Sequence, residues 1–448
     1  MIRSDTSRGK IAYLCPRENY LKVYIPVIVE QLKNGFMLEP VLVVPASANT
    51  FWGDKNDTAA TIDKLGGYDV LNQITIIEMN DEKHLLELLY EYNIKVVVEL
   101  SAYTNKEIYS YVMPESKKRG IKWCVLGSNG DELRVVDIDG GKLIENWDLI
   151  TVVNDLWRKW VVRYLEGVNP QKVKYAKEAV AIGNPEFDQI PQLKFEREKI
   201  LKKYGIPANR KIIFLAPPAD YSIPLIYKML FFNKFMTKIV NLPILKQLFK
   251  KYIRGRTDPL IKDWDRIISY VDVFKKIKKF SDRNNALIIC KRRNKDKNLK
   301  RCERKYVDMI FEEGEFYPFR TLELLSVADI YIGFESLCCL EAIGMGKPAI
   351  NLISSLRLYF SDTGLNGVYW NKLWLDNNAM FKIKNVSEVY NMFKDEDWDQ
   401  FCKKMEGSLG EQVEKYDNGR REEFLKTFLG SSEFNSARRF LNAAEKIL

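Results

Sequence analysis

Apolar runs of about 20 residues, the length that spans a bilayer, are missing from this chain of 448 residues. The N-terminus, MIRSDTSRGK, has no apolar core, so export through a signal peptide is not expected. The seven cysteines (Cys15, Cys124, Cys290, Cys302, Cys338, Cys339 and Cys402) are odd in number, scattered, and form no Cys-x-x-Cys pair. That argues against a disulfide framework and a zinc site, and leaves buried, reduced thiols in a cytoplasmic protein. Histidine is nearly absent: His84, in DEKHLLELLYEYN, is the only one, and it sits in a helical pattern. Acid–base chemistry would therefore fall to carboxylates.

Acidic residues are absent from one stretch in particular. Between Tyr221 and Thr257 there are none, against Lys228, Lys234, Lys238, Lys246, Lys250, Lys251, Arg254 and Arg256. The whole chain carries a formal charge of +10, so these eight cations leave the remainder close to neutral. Aromatic and aliphatic residues interleave with them, and PILKQLFKKYIR puts apolar residues mainly on one helical face and lysines on the other. Such a helix suits an anionic membrane surface, with Lys246, Phe249, Lys250 and Lys251 as the expected contacts. A helical hairpin packed on its own domain, its lysines solvated, is the plain alternative. The long aliphatic content argues against nucleic acid as partner.

What is present in quantity is ordinary core material, 46% hydrophobic residues, in a length that suits two domains of about 200 residues each. Short apolar runs at Lys10–Cys15, Pro40–Val44, Ile74–Ile77, Lys95–Leu100, Lys122–Leu126 and Leu149–Val153 read as strands. A second set follows at Lys211–Ala216, Ala286–Cys290, Ile330–Gly333 and Ala349–Leu352. Near-continuous apolar runs suit strands covered on both faces, and the helical periods between them predict parallel sheets with right-handed crossovers. The join falls near Gly183–Tyr204. The expected division is an acceptor-side domain over 1–182, a linker over 183–210, a nucleotide-binding domain over 211–400 with the basic insertion at 221–257, and C-terminal helices over 401–448. Ligands of such sheets bind beyond the carboxyl ends of the strands.

The run RTLELLSVADIYIGFESLCCLEAIGMGKPAINL is the most informative part of the chain. It predicts a helix over Thr321–Val327, a strand over Ile330–Gly333, a Phe-Glu-Ser turn, a helix over Leu337–Met345 and another strand. Ser336 would stand near a helix N-terminus, where unpaired amides favour an anion such as a diphosphate. Glu341 would lie on the same helix, placed to accept from ribose hydroxyls. GMGK is no Walker loop, because the upstream glycine is missing and Pro348 follows the lysine.

In Ala328, Asp329, Ser336, Glu341, Ala342, Gly346, Lys347 and Pro348 the chain resembles glycosyltransferases of the GT-B fold. It is most similar to the branch holding surface-polysaccharide enzymes and CDP-glycerol glycerophosphotransferases. The run Gly183-Asn184-Pro185-Glu186-Phe187-Asp188 is similar to an element that enters the linker in those enzymes. The resemblance implies two doubly wound, Rossmann-like α/β domains facing a cleft. It also implies a nucleotide-sugar donor held by Ser336, Glu341, Glu335, Lys291 and Arg292, with no separate cofactor and no metal.

Many retaining members carry two glutamates with seven residues between them. Here Gly333 occupies the position of the first, so an inverting outcome is expected. Inverting transfer needs a base, and the loop that carries a His-Gly pair in polyol-phosphate transferases keeps Gly130 without its histidine. Asp131 ranks first as base and Glu18 second, with Glu99 and Glu132 as further strand-end carboxylates. The expected activity is transfer of a sugar or related group to a lipid-linked or surface-glycan acceptor, by a cytoplasmic protein peripheral to the inner membrane face. A sugar-nucleotide 2-epimerase and a non-catalytic nucleotide-sugar-binding relative are the alternatives.

Overall fold

The apolar runs become strands because their side chains can be covered on both sides by amphipathic helices. In the computed structural model described here, residues 9–16, 20–46, 70–100, 108–127, 144–217, 234–254, 269–292, 304–312, 320–333, 338–353, 390–394 and 398–448 are described. They divide into one unit made of 1–193 with 423–448 and a second made of 194–422.

The first unit holds β1 (Lys10–Leu14), β2 (Glu39–Pro45), β3 (Thr75–Met79), β4 (Ile94–Glu99), β5 (Lys122–Val125), β6 (Leu149–Val152) and the short β7 (Val180–Ala181). Their order in the sheet is β3-β2-β1-β4-β5-β6-β7, and the pairs are parallel. The second unit holds β8 (Lys211–Ala216), β9 (Ala286–Lys291), β10 (Met309–Phe311), β11 (Ile330–Gly333), β12 (Ala349–Ile353) and β13 (Tyr390–Lys394). Its order is β10-β9-β8-β11-β12-β13, again parallel. Each sheet runs outward from its first strand in both directions, so each has one reversal of order: β1 beside β4, and β8 beside β11.

One device recurs where strands begin. Asp148, Asp308 and Asp329 each stand just before a strand, donating a backbone N–H to a carbonyl of the neighbouring strand. Each carboxylate then accepts from the same neighbour residue's N–H: Asp148 from Trp123 at 2.9 Å, Asp308 from Ile288 and Asp329 from Ile212 at 2.8 Å. Lysines balance the charge, Lys117 at 3.1 Å from Asp148, Lys278 at 2.7 Å from Asp308 and Lys211 at 3.5 Å from Asp329. Such charge-assisted bonds contribute about 1.5–3 kcal/mol each, and here they fix register at the end of the sheet away from any ligand.

The Gly183–Asp188 run has a structural task. Gly183, at φ +96°, lies so close to the C-terminal Ser436–Glu445 helix that a Cβ would come within 2.3 Å of Ser436 Oγ. The Asn184 side chain accepts from Glu186 N–H at 3.1 Å, and Asp188 Oδ2 accepts from Ala437 N–H at 2.7 Å, at the start of that helix. Arg439 adds a bond to the Ala181 carbonyl at 2.8 Å.

Burial pushes the Asp188 carboxyl up to about 6, against the opposing pull of the Ala437 and Ser436 hydrogen bonds. The unfolded carboxyl titrates near pH 4, so the native state holds this proton more tightly. Its contribution to stability is full below about pH 4 and is lost as pH rises through about 6, a loss of about 2–3 kcal/mol. Asp188→Asn keeps an acceptor for the helix amides without the charge. Urea unfolding between these pH values should show that decline in the parent and a flatter profile in the variant; identical profiles would remove Asp188 from the account.

Candidate functional site

In open parallel sheets a ligand sits beyond the carboxyl ends of the strands where their order reverses. In the second unit that point lies between β8 and β11, whose last paired residues are Ala216 and Gly333. Lys291 and Arg292 end β9 on one side, and Ile353 ends β12 on the other.

Gly333 is required by its neighbour. The Tyr331 ring, stacked on Phe214 at 6.1 Å between centroids, lies back over the glycine, and a Cβ there would meet Tyr331 Oη at 2.0 Å. Here a glutamate would displace a fully buried tyrosine from the core. Gly333→Ala should cost about 1–3 kcal/mol by overpacking, and far less in a Tyr331→Leu background, where the obstructing ring is gone. Additive costs in a double-mutant cycle by urea unfolding would contradict this reading.

The helix after β11 spans Cys338–Gly344, and Glu341 lies buried in its first turn. Its far end is held from several directions. Gly346, at φ +75°, donates its N–H to the Ile343 carbonyl, and Lys347 N–H reaches Ala342, the two bonds of a Schellman ending. Arg421 Nε donates to Ile343 at 2.9 Å, a second guanidinium nitrogen donates to Gly344, and the Tyr416 hydroxyl reaches Ile343 at 3.4 Å. A cation on the last carbonyls also complements the helix dipole. Nothing in the local sequence around 338–344 points to Arg421, some eighty positions on.

Lys347 is turned toward a neighbouring helix. Its ammonium donates to the Ser326 carbonyl at 2.9 Å, at the end of the Arg320–Val327 helix, and burial lowers its pKa. Arg292 is also buried, with Nη1 3.2 Å from Glu312 Oε1 just beyond β10. Its charge therefore points along the sheet away from β8. Lys291 is partly exposed at the end of β9.

In the first unit the reversal lies between β1 and β4. The buried Tyr24 hydroxyl donates to the Leu14 carbonyl at 2.8 Å and lies 3.4 Å from that of Val98, joining the ends of both strands. Burial, with Cys15 and Glu99 close by, holds this phenol well above its usual pKa and keeps it a donor. Glu99, fully buried as the last residue of β4, accepts from the Tyr109 hydroxyl at 2.7 Å. Of the carboxylates named from the sequence, Glu99 is thus placed at the reversal. Asp131, Glu132 and Glu18 lie outside the described residues, as do Ser336 and Glu335 and the side chains of Phe249, Lys250 and Lys251.

His84 stands in the first turn of the Glu82–Glu91 helix, its Nδ1 accepting from Asn80 N–H at 3.1 Å while its own N–H donates to Asp81. It completes a helix cap. Of the cysteines within the described residues, Cys15, Cys124, Cys290 and Cys339 are buried and outside any disulfide. Asp137-Ile138-Asp139, Asp263-Trp264-Asp265, Asp395-Glu396-Asp397 and Asp397-Trp398-Asp399 are Asp-x-Asp triplets of the kind that hold a metal with a diphosphate, so the sequence does not by itself support independence from metal. Among the described residues, no helix is long and apolar enough to cross a membrane.

No family model and no curated protein sequence matches the chain. Solved structures do. A Listeria monocytogenes protein assigned as a UDP-N-acetylglucosamine 2-epimerase superposes with a TM-score of 0.57 at 9% identity, over 98% of this chain and 96% of its own. The Neisseria meningitidis UDP-GlcNAc 2-epimerase bound to UDP-GlcNAc gives 0.51 at 10% identity, over 98% and 100%. The wall teichoic acid polymerase TagF gives 0.50 at 11% identity, over 99% and 90%. At these identities the likeness establishes the fold alone: two doubly wound α/β units, as in proteins of the GT-B fold.

Proposed function

We propose that the protein is a nucleotide-sugar enzyme whose nucleotide binds beyond the ends of β8 and β11, between Lys291 on β9 and the start of the Glu341 helix. The observation that carries this reading is the reversal of strand order at β8 and β11, followed directly by the Glu341 helix, in a fold shared over nearly the whole chain with proteins that act on UDP-GlcNAc. Lys291 would offset diphosphate charge, Ser336 and Glu335 would lie at the start of the helix, and Glu341 would accept from ribose hydroxyls.

For the reaction, 2-epimerisation of a UDP-N-acetylhexosamine is the first reading, since several of the similar structures carry that activity. Inversion at C2 balances when loss of the C2 proton expels UDP from C1, the electron pair forming a C1–C2 double bond. UDP then adds back to C1 as a proton reaches C2 from the other face, so one group must take the proton and one must return it. Glu99, buried and held by Tyr109 at the reversal of the first sheet, and Asp131 or Glu18 are the carboxylates available. The second reading is glycosyl transfer to a lipid-linked or surface-glycan acceptor, favoured by the likeness to TagF and by the basic, apolar Lys234–Arg254 region. There the same carboxylates would deprotonate an acceptor hydroxyl.

Incubation with UDP-GlcNAc in deuterated water, with and without a divalent metal, separates the readings. Epimerisation gives UDP-ManNAc with deuterium at C2. Transfer gives UDP only when an acceptor is added. Absence of binding to UDP, CDP and GDP sugars alike would end the proposal.

A further inference from the structure

The basic insertion contains a surface that the nucleotide reading leaves unused. Its described part is two helices, Lys234–Val240 and Pro243–Arg254. At 100° per residue the second helix sets Ile244, Leu245 and Leu248 within one arc, with Lys246 and Gln247 on the opposite side. In an amphipathic helix of a folded domain the apolar arc is covered by the core. Here it is bare: Ile244 is 76% exposed, Leu248 58% and Leu245 also exposed, joined by Leu242 and by Phe235 on the preceding helix. Five of the ten strongly exposed large apolar side chains among the described residues lie within these fourteen positions, so this is a patch rather than scatter.

Charge selects the occupant. From Tyr221 to Thr257 eight cations stand without one carboxylate. A protein partner or a second copy of this chain would have to match a wholly cationic rim, and the chain outside this stretch is close to neutral. A sheet of anionic headgroups over acyl chains meets both properties at once, taking the apolar arc into the acyl boundary and the lysines among the phosphates.

We infer that the Pro243–Arg254 helix lies in the surface of an anionic membrane and brings the protein to it as a peripheral binder. The attraction is largely electrostatic, so it weakens with salt, and each cation removed weakens partition about fivefold.

Co-sedimentation of the full chain with phosphatidylcholine vesicles, with and without phosphatidylglycerol, tests this. The expected result is binding only to vesicles containing phosphatidylglycerol, reduced by raised salt. Ile244→Asp with Leu248→Asp should abolish it, and Lys246→Gln with Lys250→Gln should weaken it about twenty-five-fold. Circular dichroism should show all variants as folded as the parent, because Ile244 and Leu248 contribute little to a core. Indifference to phosphatidylglycerol, or unchanged binding by the Ile244/Leu248 variant, would overturn the proposal. So would a self-association seen by sedimentation velocity that the same variant removes while vesicle binding is absent.

Discussion

Between β8 and β11 the order of the second sheet reverses, and the placement of Lys291 and of the Glu341 helix follows from that break. Ala216 and Gly333 are the last paired residues of the two strands that meet there, the point at which parallel sheets of this kind take a ligand. Lys291 and the helix of Glu341 flank this point because β9 and β11 are the next segments in the sheet and in the chain. The opposite end of the sheet is closed by Asp308 and Asp329, whose carboxylates occupy the amides of β9 and β8. One end is therefore tied by carboxylates, and the other carries Ala216, Gly333 and Lys291. The first unit repeats the plan, with Asp148 on β5 and with Tyr24 and Glu99 at the carboxyl ends of its strands.

Much of this was legible in the sequence. Apolar runs located ten of the thirteen described strands closely, because a strand buried on both faces has little freedom in composition. The edge strands β10 and β13 were not legible. MIF is too short to show a period, and YNMFK is too polar to stand out from the helical pattern around it. The short β7 depends on pairing with β6 rather than on its own residues. Gly346 was read correctly as a helix end because its positive φ leaves a local signature.

Residue roles were harder to read than elements, since a motif does not say which way its side chains point. Lys347 entered only as part of a resemblance, and its ammonium closes a neighbouring helix. Gly183 and Asp188 belong to a run placed at a linker, and they bind the C-terminal helix to the first unit. Arg421 had no signal at all, because its task is defined by carbonyls far away in the chain. Glu99 was one strand-end carboxylate among several in the sequence; its burial beside Tyr109 and Tyr24 is what sets it apart.

The central claim is that the carboxyl end of the second sheet, at β8 and β11, holds a nucleotide diphosphate. Amide hydrogen exchange with and without UDP tests it most directly, because it reports the position of binding independently of the reaction. The account predicts slowed exchange in peptides covering 211–217, 289–292 and 330–344, with little change at 144–182. Protection confined to the first unit, or none in the second at saturating UDP, would contradict it.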